Sequence, residues 1–524
     1  MVNYKVLITT SGTGSRLGEI TQYTNKALVK VGKKPTISYI VESYPKNTEF
    51  VVTLGYFGNQ VGDFLNLVYP DRKFTFVKVD KFEGLGTSLG YSMLQAEKYL
   101  QCPFVYNACD TIVAEQKIPA PSSNWIGGFR GEGSSQYASF NVTGGRVKEI
   151  YDKGMLKSDF LHIGLIGVSD YKNFWASLKK AYKTKPNDST LNDVSALNDM
   201  MKNGIEFGAK EFKIWHDIGN VESLQKARAE IKDSFRILDK ADESISIFDK
   251  FVVKFFFDEK MVADRVARGK ILKGLAPEIV ENKPNFYKYR YAKGHLYSKV
   301  ATPHSFKLFL DWAGKKLWRE NKEVSEQEFK EICHSFYYKK SVERIEKFLS
   351  SRKVKDQKNV INGEKVPTAK EMFKKIDFNW LCTSAQSNFH GDFILDNIIQ
   401  TKNGFCLLDW RQNFGGLLKA GDMYYDLSKL NHNLTVNHEI VNKDLFTINI
   451  DKNIVECDIL RKDNLVQCQK VLFDFLKKEK YDEKKVRILT AIIWLNMSPL
   501  HHHPFDLFLF YFGKLNLWRE LQKA

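Results

Sequence analysis

The stretch ITTSGTGSRLGEITQYTNKALVKVGKKP, Ile8 to Pro35, constrains this chain more than any other, because an apolar strand pattern runs straight into a glycine loop. A dinucleotide-binding fingerprint needs its third glycine at position 17, where Leu17 stands and Gly18 comes one place late. A P-loop needs Gly-Lys followed by Ser or Thr, and the chain contains no such tripeptide. What remains is a strand over Lys5–Thr10 and a loop carrying Gly12, Thr13, Gly14, Ser15 and Arg16. Glycines let backbone N–H groups approach phosphate oxygens closely, and a guanidinium offers a fork to a polyphosphate. Lys26 adds a second, mobile positive charge. A glycine turn beside a solvated basic run (Lys30, Lys33, Lys34) is the plainer reading of the same residues.

The chain has 524 residues, more than one ordinary core supports, and roughly two to four domains are expected. Hydrophobic residues at 43% and charged residues at 27% fit a soluble globular protein. The start, MVNYKVLITT, is too short and strand-like for a signal peptide. Pro504–Phe512, the most apolar late stretch, is far too short to span a bilayer, so no membrane insertion is expected. Seven cysteines without a CxxC pair suggest reduced thiols in a cytoplasm. A net charge of +17 admits nucleic acid, anionic membrane or polyanionic small substrates. The lysines are spread rather than massed, and no zinc finger, RNA-binding aromatic signature or basic tail occurs, so no nucleic-acid partner is expected.

Strand-like runs (Glu49–Leu54, Phe74–Val79, Phe104–Asn107) alternate with helical ones (Ile37–Tyr44, Ser88–Leu100), which predicts an α/β layered first domain. The charged stretch Ala227–Glu243 reads as a boundary, giving domains over 1–232 and 238–524. Beyond it, ISIFDKFVVKFFF reads as strands, Met261–Leu275 as a helix, and the remainder as mostly helical.

Gly-x-Gly-Ser-Arg-Leu followed by Asn-Lys-Ala-Leu-Val resembles the signature of sugar-phosphate nucleotidyltransferases, and further matches follow in the family's order. EGLGTSLGYSML, with Gly86 and Thr87, sits where that family holds a base and ribose. FVYNACDTIV places Asp110 at a strand end, where the resemblance implies a Mg²⁺ ligand. VKEIYDKGMLKSDFLHIGLIGV implies that Lys153 contacts the sugar or its phosphate and that Gly164 leaves room for the sugar. IWHDIGNVESLQKA supplies the second metal carboxylate, Asp217. Arg16 and Lys26 would then stabilise charge while a phosphomonoester attacks the α-phosphorus of an NTP (UTP, CTP or GTP). Thr9-Thr10-Ser11 departs from the family's usual alanine pair, and Gly154 stands where proline is common; both leave the base open.

NFHGDFILDNIIQTKNGFCLLDWRQ (Asn388–Gln412) has kinase spacing and resembles the aminoglycoside phosphotransferase and choline kinase superfamily. That resemblance implies an α+β protein-kinase-like domain in which Asp392 accepts the proton of the attacking hydroxyl, and Asn397 and Asp409 hold Mg²⁺ against ATP. Asp426, in GDMYYDLSKL, is expected to buttress structure. Lys254, alone in an apolar strand, is expected to meet phosphate, though the helix after it offers Arg268, Lys270 and Lys273 and no convincing glutamate partner. The run His501–Pro504 cannot turn three consecutive histidines onto one ion and is read as lining the helical lobe.

Together the halves read as consecutive steps: a kinase phosphorylates a small alcohol, and a nucleotidyltransferase activates the product. A sugar phosphorylated at its anomeric hydroxyl would give an NDP-sugar for cell-surface glycoconjugates; choline or another amino alcohol would give a CDP-alcohol. Mg²⁺, ATP and an NTP are the implied cofactor and co-substrates. A homo-oligomer is left open. A degenerate regulatory scaffold would need neither both carboxylates nor an intact catalytic loop.

Overall fold

Val6, Leu7 and Ile8 form the centre of a strand, Lys5–Thr9, in which all three side chains are buried. Burial on both faces requires cover on both faces, and the surrounding topology supplies it. A computed structural model of the chain describes residues 3–113, 117–131, 136–154, 158–231 and 240–523. The strand lies in a mixed sheet of nine strands, in the order Lys73–Lys78, Glu49–Leu54, Lys5–Thr9, Phe104–Ala108, Phe160–Val168, Trp125–Phe129, Gly208–Glu211, Arg146–Tyr151 and Ser139–Thr143. The first four are parallel; Phe160–Val168 runs antiparallel to the fourth and makes the sheet mixed.

Strand alternation divides the core. Val6 and Ile8 face one side with Ile37 and Val41 of helix Thr36–Glu42 and with Val61 and Phe64 of helix Gly58–Val68. Leu7 faces the other with Met93 of helix Leu89–Ala96 and Leu178 of helix Tyr171–Thr184. Each fully buried aliphatic side chain contributes about 1.5–3 kcal/mol to this layering. The expected α/β pattern is therefore realised, with one local change: the helix read over Ser88–Leu100 ends at Ala96 and tightens into a 3₁₀ turn, Glu97–Tyr99. Ser88 is its cap, accepting a hydrogen bond from Tyr91 N at 3.0 Å.

By its internal contacts the chain forms two units, Met1–Val262 with Val280–Tyr289, and Ala263–Ile279 with Arg290–Ala524. The break read between 232 and 238 lies outside the described residues. The strands after it, Glu243–Ile247 and Phe251–Phe256, group with the first unit rather than with the later chain. The reason is apolar: Val253, Phe255 and Phe286 join the core on the Gly58–Val68 side, Phe286 lying 5.8 Å from Phe64 between ring centroids. Lys288 Nζ donates to Leu67 O at 2.6 Å.

The second unit is largely helical, as its pattern suggests, but it also contains a four-stranded sheet ordered Glu364–Val366, Asn359–Ile361, Ile454–Ile459 and Phe446–Asp451. Its last helix, Phe505–Gln522, buries residues around its whole circumference (Phe508, Leu509, Phe510, Tyr511, Leu515, Leu517), so FDLFLFYFGKLNLW is core. Among the described residues no helix is long and apolar enough to cross a membrane.

Candidate active sites

In the first unit a short antiparallel ladder does the assembling. Thr111–Val113 pairs with Trp215–Asp217, Asp217 opposite Thr111, and Ile218 N donates to Asp110 O at 3.1 Å. Two carboxylates far apart in sequence are thereby set side by side. Asp217 is held by Gly219 N on Oδ1 at 2.9 Å and by the Tyr137 hydroxyl on Oδ2 at 3.0 Å. Gly219 marks the centre of the group: a Cβ there would lie 3.0 Å from Asp217 Oδ1, 3.3 Å from Asp110 Oδ2 and 3.4 Å from Arg16 Nη2.

Lys26 completes the cluster by an ion pair with Asp110. Its position follows from Asn25, whose side chain accepts from Ala27 N at 2.8 Å and donates to Thr10 O at 2.8 Å and Tyr56 O at 2.5 Å. Gly14, at φ +67°, turns the loop so that a Cβ there would meet Lys26 Cβ at 3.1 Å. The loop hydroxyls that depart from the family's alanines are satisfied internally: Thr10 Oγ1 donates to Thr53 O at 2.6 Å, and Ser11 Oγ lies 2.8 Å from Ser92 Oγ.

Charge in this cluster is unevenly shared. Burial disfavours ionised Asp110, but Lys26 and Arg16 outweigh it and hold its pKa below the ordinary carboxylate value. Burial likewise works against the Lys26 ammonium, and the Asp110 charge overcomes it and raises the lysine. Asp217 goes the other way, raised first by burial and then by the charge of Asp110. Paired carboxylate oxygens at one point, one of them disfavoured as an anion by the other, are a donor set that fits a hard divalent cation whose remaining ligands come from phosphate and water. Among the described residues no group of three or more His, Cys, Asp or Glu side chains is arranged to hold a metal by itself.

A cavity of about 810 Å³ opens over this cluster and is lined by Gly12, Thr13, Gly14, Ser15, Arg16, Lys26, Thr87, Asp110, Lys153, Gly164 and Asp217. The sequence-derived residues of the first half thus converge, with Gly86 not among the lining residues. Gly164 has φ +68°, and a Cβ there would sit 2.8 Å from Ala108 Cβ, so strand packing alone demands glycine. Lys153 is exposed. Sequence reasoning missed Tyr137, Gly219 and the buried pair His162–Asp193 (Nε2 to Oδ2, 2.7 Å), which also line the cavity. Only Gly219 carried a readable signal, its place two residues after Asp217 in WHDIGN. Lys254 is buried in the strand Phe251–Phe256, opposite Ile245.

In the second unit the His390–Asp392 loop is built by hydrogen bonds from beneath. Asp426 accepts from His390 N and Gly391 N, each at 2.7 Å, and from Trp318 Nε1 at 3.2 Å, and burial pushes its pKa up to about 6. Its expected buttressing place is thus occupied. His390 Nε2 donates to Leu408 O at 2.8 Å, and Nδ1 accepts from Asp392 N at 3.3 Å; burial lowers this imidazole to about 4, so it is neutral at pH 7. Asn397 Nδ2 donates to Asp392 O at 3.0 Å and Oδ2 at 2.9 Å, while Leu408 N donates to Asn397 O at 2.7 Å. Asp392, Asn397 and the strand leading to Asp409 are therefore one hydrogen-bonded unit.

Asp409 sits at φ +53°, a conformation costing a non-glycine residue on the order of 1 kcal/mol or more. Its Oδ1 accepts from Arg265 Nη1 at 2.6 Å. Asp392 Oδ1 pairs with Lys429 Nζ at 2.8 Å; burial would raise its pKa, and the lysine more than reverses this. Arg268, fully buried, gives Nη2 to Phe389 O at 2.5 Å and Nη1 to Leu418 O at 3.0 Å, and lies 3.7 Å over the Phe389 ring. The helix Glu259–Ile271, whose one glutamate is its first residue, thus sends Arg265 to Asp409 and Arg268 to the backbone before His390, a use of both arginines that local sequence does not disclose. The oxygens of Asn397 and Asp409 are of the class a hard cation takes.

No protein-family model matches this chain, and no curated protein matches it. Solved structures resemble its N-terminal part. One assigned as a glucose-1-phosphate thymidylyltransferase from Bacillus anthracis, in complex with sucrose, is 22% identical, covers 45% of this chain and 98% of its own, and has a TM-score of 0.39. A CTP:phosphocholine cytidylyltransferase from Streptococcus pneumoniae is 20% identical over 44% of this chain and 100% of its own, with a TM-score of 0.39. An inositol-1-phosphate CTP transferase from T. maritima is 17% identical over 45% of this chain and 98% of its own, with a TM-score of 0.36.

Proposed function

We propose that this chain is a bifunctional enzyme whose second half phosphorylates a small alcohol with ATP and whose first half joins the product to a nucleotide. The observation that carries the nucleotidyl reading is the convergence of Arg16, Lys26, Asp110 and Asp217 around Gly219 in one cavity under a glycine loop. A phosphomonoester oxygen bonds to the α-phosphorus of the NTP, the α–β bridging P–O bond breaks, and pyrophosphate leaves. Arg16 and Lys26 place positive charge where the triphosphate and the incoming phosphate repel each other. Mg²⁺, when bound by Asp110 and Asp217, neutralises triphosphate charge.

The phosphotransfer reading is supported by Asp392 and Asn397 locked together beside Leu408-Asp409. The acceptor oxygen bonds to the γ-phosphorus, the bond to the β–γ bridging oxygen breaks, ADP leaves, and the hydroxyl proton passes to Asp392. Both a sugar, giving an NDP-sugar, and an amino alcohol, giving a CDP-alcohol, fit this order of steps.

Phosphorus NMR of purified protein with ATP, each NTP in turn, Mg²⁺ and a panel of alcohols tests the scheme. Expected are a phosphomonoester and then a nucleotide diphospho-product with pyrophosphate. With Asp110→Ala, or with Arg16→Lys, the phosphomonoester should accumulate and the second product stay absent, because an ammonium cannot reproduce a bidentate guanidinium contact. Normal diphospho-product from Asp110→Ala would overturn the nucleotidyl site.

A further inference from the structure

Four basic side chains meet beside the Asp392 loop, from three separate elements: Lys340 and Arg344 on helix Lys340–Arg352, Arg411 just after Asp409-Trp410, and Lys429 on helix Met423–Thr435. All four line a cavity of about 150 Å³ that has no carboxylate in its wall; its other side is apolar, with Leu489, Ile492 and Met497. A larger cavity of about 550 Å³ adjoins it, sharing Phe336, Lys340 and Arg411, with Glu328 and Glu331 also in its wall. Lys340 Nζ lies 4.1 Å from the Phe336 ring centroid, and the Arg411 guanidinium lies 5.1 Å from the same centroid. The two positive groups are thus gathered on one ring.

This arrangement costs stability. Lys340 and Arg344 are like charges one helical turn apart, which disfavours the helix. Among the described residues Lys340 makes no ion pair with a carboxylate, and Lys429 is bound to Asp392 alone. Burial, then Arg411, Arg344 and Lys429, push Lys340 down to about 6. The π-helical turn Ser335–Lys339 immediately before Lys340 sets where Phe336 and Lys340 fall. Clustered, partly desolvated like charges in a cavity mark a place for the opposite charge. A volume near 150 Å³ is too small for a nucleotide but takes one carboxylate or phosphate group with its carbon, and the Lys429 ammonium puts that group one side chain away from Asp392.

Resting on the phosphotransfer reading of the Asp392 loop, we propose that the cavity walled by Lys340, Arg344, Arg411 and Lys429 is the acceptor subsite, and that the acceptor alcohol carries an anionic oxygen group, a carboxylate or a phosphate. The hydroxyl of that alcohol attacks the γ-phosphorus, the β–γ bridging P–O bond breaks to release ADP, and Asp392 takes the proton. A quaternary ammonium alcohol would meet the like charges of Arg344 and Arg411 there.

The test uses the full chain with Mg²⁺ and a saturating non-hydrolysable ATP analogue. Calorimetry compares glycerate, glycerol phosphate, glycerol and choline as probes; ATP in place of the analogue then gives the transferred phosphate. Glycerate or glycerol phosphate should bind at least ten-fold more tightly than glycerol or choline, and whichever binds identifies the anionic group. Lys340→Gln with Arg344→Gln should abolish that preference, Arg344→Lys should restore part of it, and binding of the ATP analogue should persist, showing that the second unit of the variants folds. Equal transfer to choline or glycerol in wild type and double variant would overturn the proposal, as would anion binding that the double variant retains or that the ATP analogue displaces. Anion binding lost in the double variant, with phosphotransfer unaffected by Asp392→Asn, would keep the subsite and overturn the role of Asp392 instead.

Discussion

Lys26 and Asp110, 84 positions apart in sequence, form a partly buried ion pair at the floor of the first-unit cavity. Asp110 is depressed below its ordinary 3.8, so its contribution to stability is present above that value and is lost as pH falls through the folded pKa. Lys26 is raised above its ordinary 10.5, so its contribution is present below that value and is lost as pH rises through the folded pKa. Lys26→Met should therefore lower stability by about 2 kcal/mol at pH 7, with the difference from wild type shrinking in acid. Denaturant unfolding at pH 7 and pH 3 measures it. An equal difference at both would show that the pair is not its source.

Gly219→Ala tests the geometry of the charged cluster without removing a charge. The new methyl would press on Asp217, Asp110 and Arg16 at 3.0, 3.3 and 3.4 Å. Displacing such groups by a fraction of an ångström should reduce nucleotidyl transfer by roughly 10- to 100-fold. ATP-dependent phosphotransfer should be unchanged. Pyrophosphate release assayed beside ADP release separates the two, and unimpaired pyrophosphate release would remove the cluster from the reaction.

Asp392→Asn should reduce ATP-dependent phosphorylation by at least ~10²-fold if Asp392 receives the hydroxyl proton. Nucleotidyl transfer onto pre-phosphorylated substrate should survive. The amide keeps the size of the side chain next to Asn397 and Lys429, so a large loss of folded protein is not expected. Full phosphotransfer by this variant would exclude Asp392 from the role.

Lys340→Met should stabilise the protein, more at pH 6 than at pH 9. With a folded pKa of about 6 against an ordinary 10.5, the unfolded chain binds more protons between these values, so stability rises with pH across that window. The cost of burying Lys340 is complete below about pH 6 and falls as pH approaches 10.5; methionine removes it. Thermal melts at the two pH values read the difference, and a variant less stable than wild type at pH 6 would contradict it.

The apolar run before the glycine loop, the alternation of strands and helices up to Asp217, and the two polar motifs were legible because each depends on near neighbours: side-chain period, a capping serine, a turn glycine, a spacing of a few residues. Even there the helix from Ser88 broke at Ala96, a boundary set by packing. The strands Glu243–Ile247 and Phe251–Phe256 read locally as the opening of a second domain, but the cover available to Val253 and Phe255 groups them with the first unit.

What lies between motifs came from tertiary structure alone. Asp217 stands by Asp110 because two three-residue strands pair, and Tyr137 and Gly219 become site residues by that same closure. Arg265, Arg268 and Lys429 carry no pattern in sequence that ties them to Asp409, Phe389 or Asp392; burial makes each of them find a partner there. Lys340, Arg344, Arg411 and Lys429 look in sequence like ordinary surface lysines and arginines, and their meaning arises only where three chain segments meet. Local chemistry selects strand, helix and loop from a handful of neighbours, whereas a charge acquires its partner, its desolvation and its pKa from residues that only the folded path brings near.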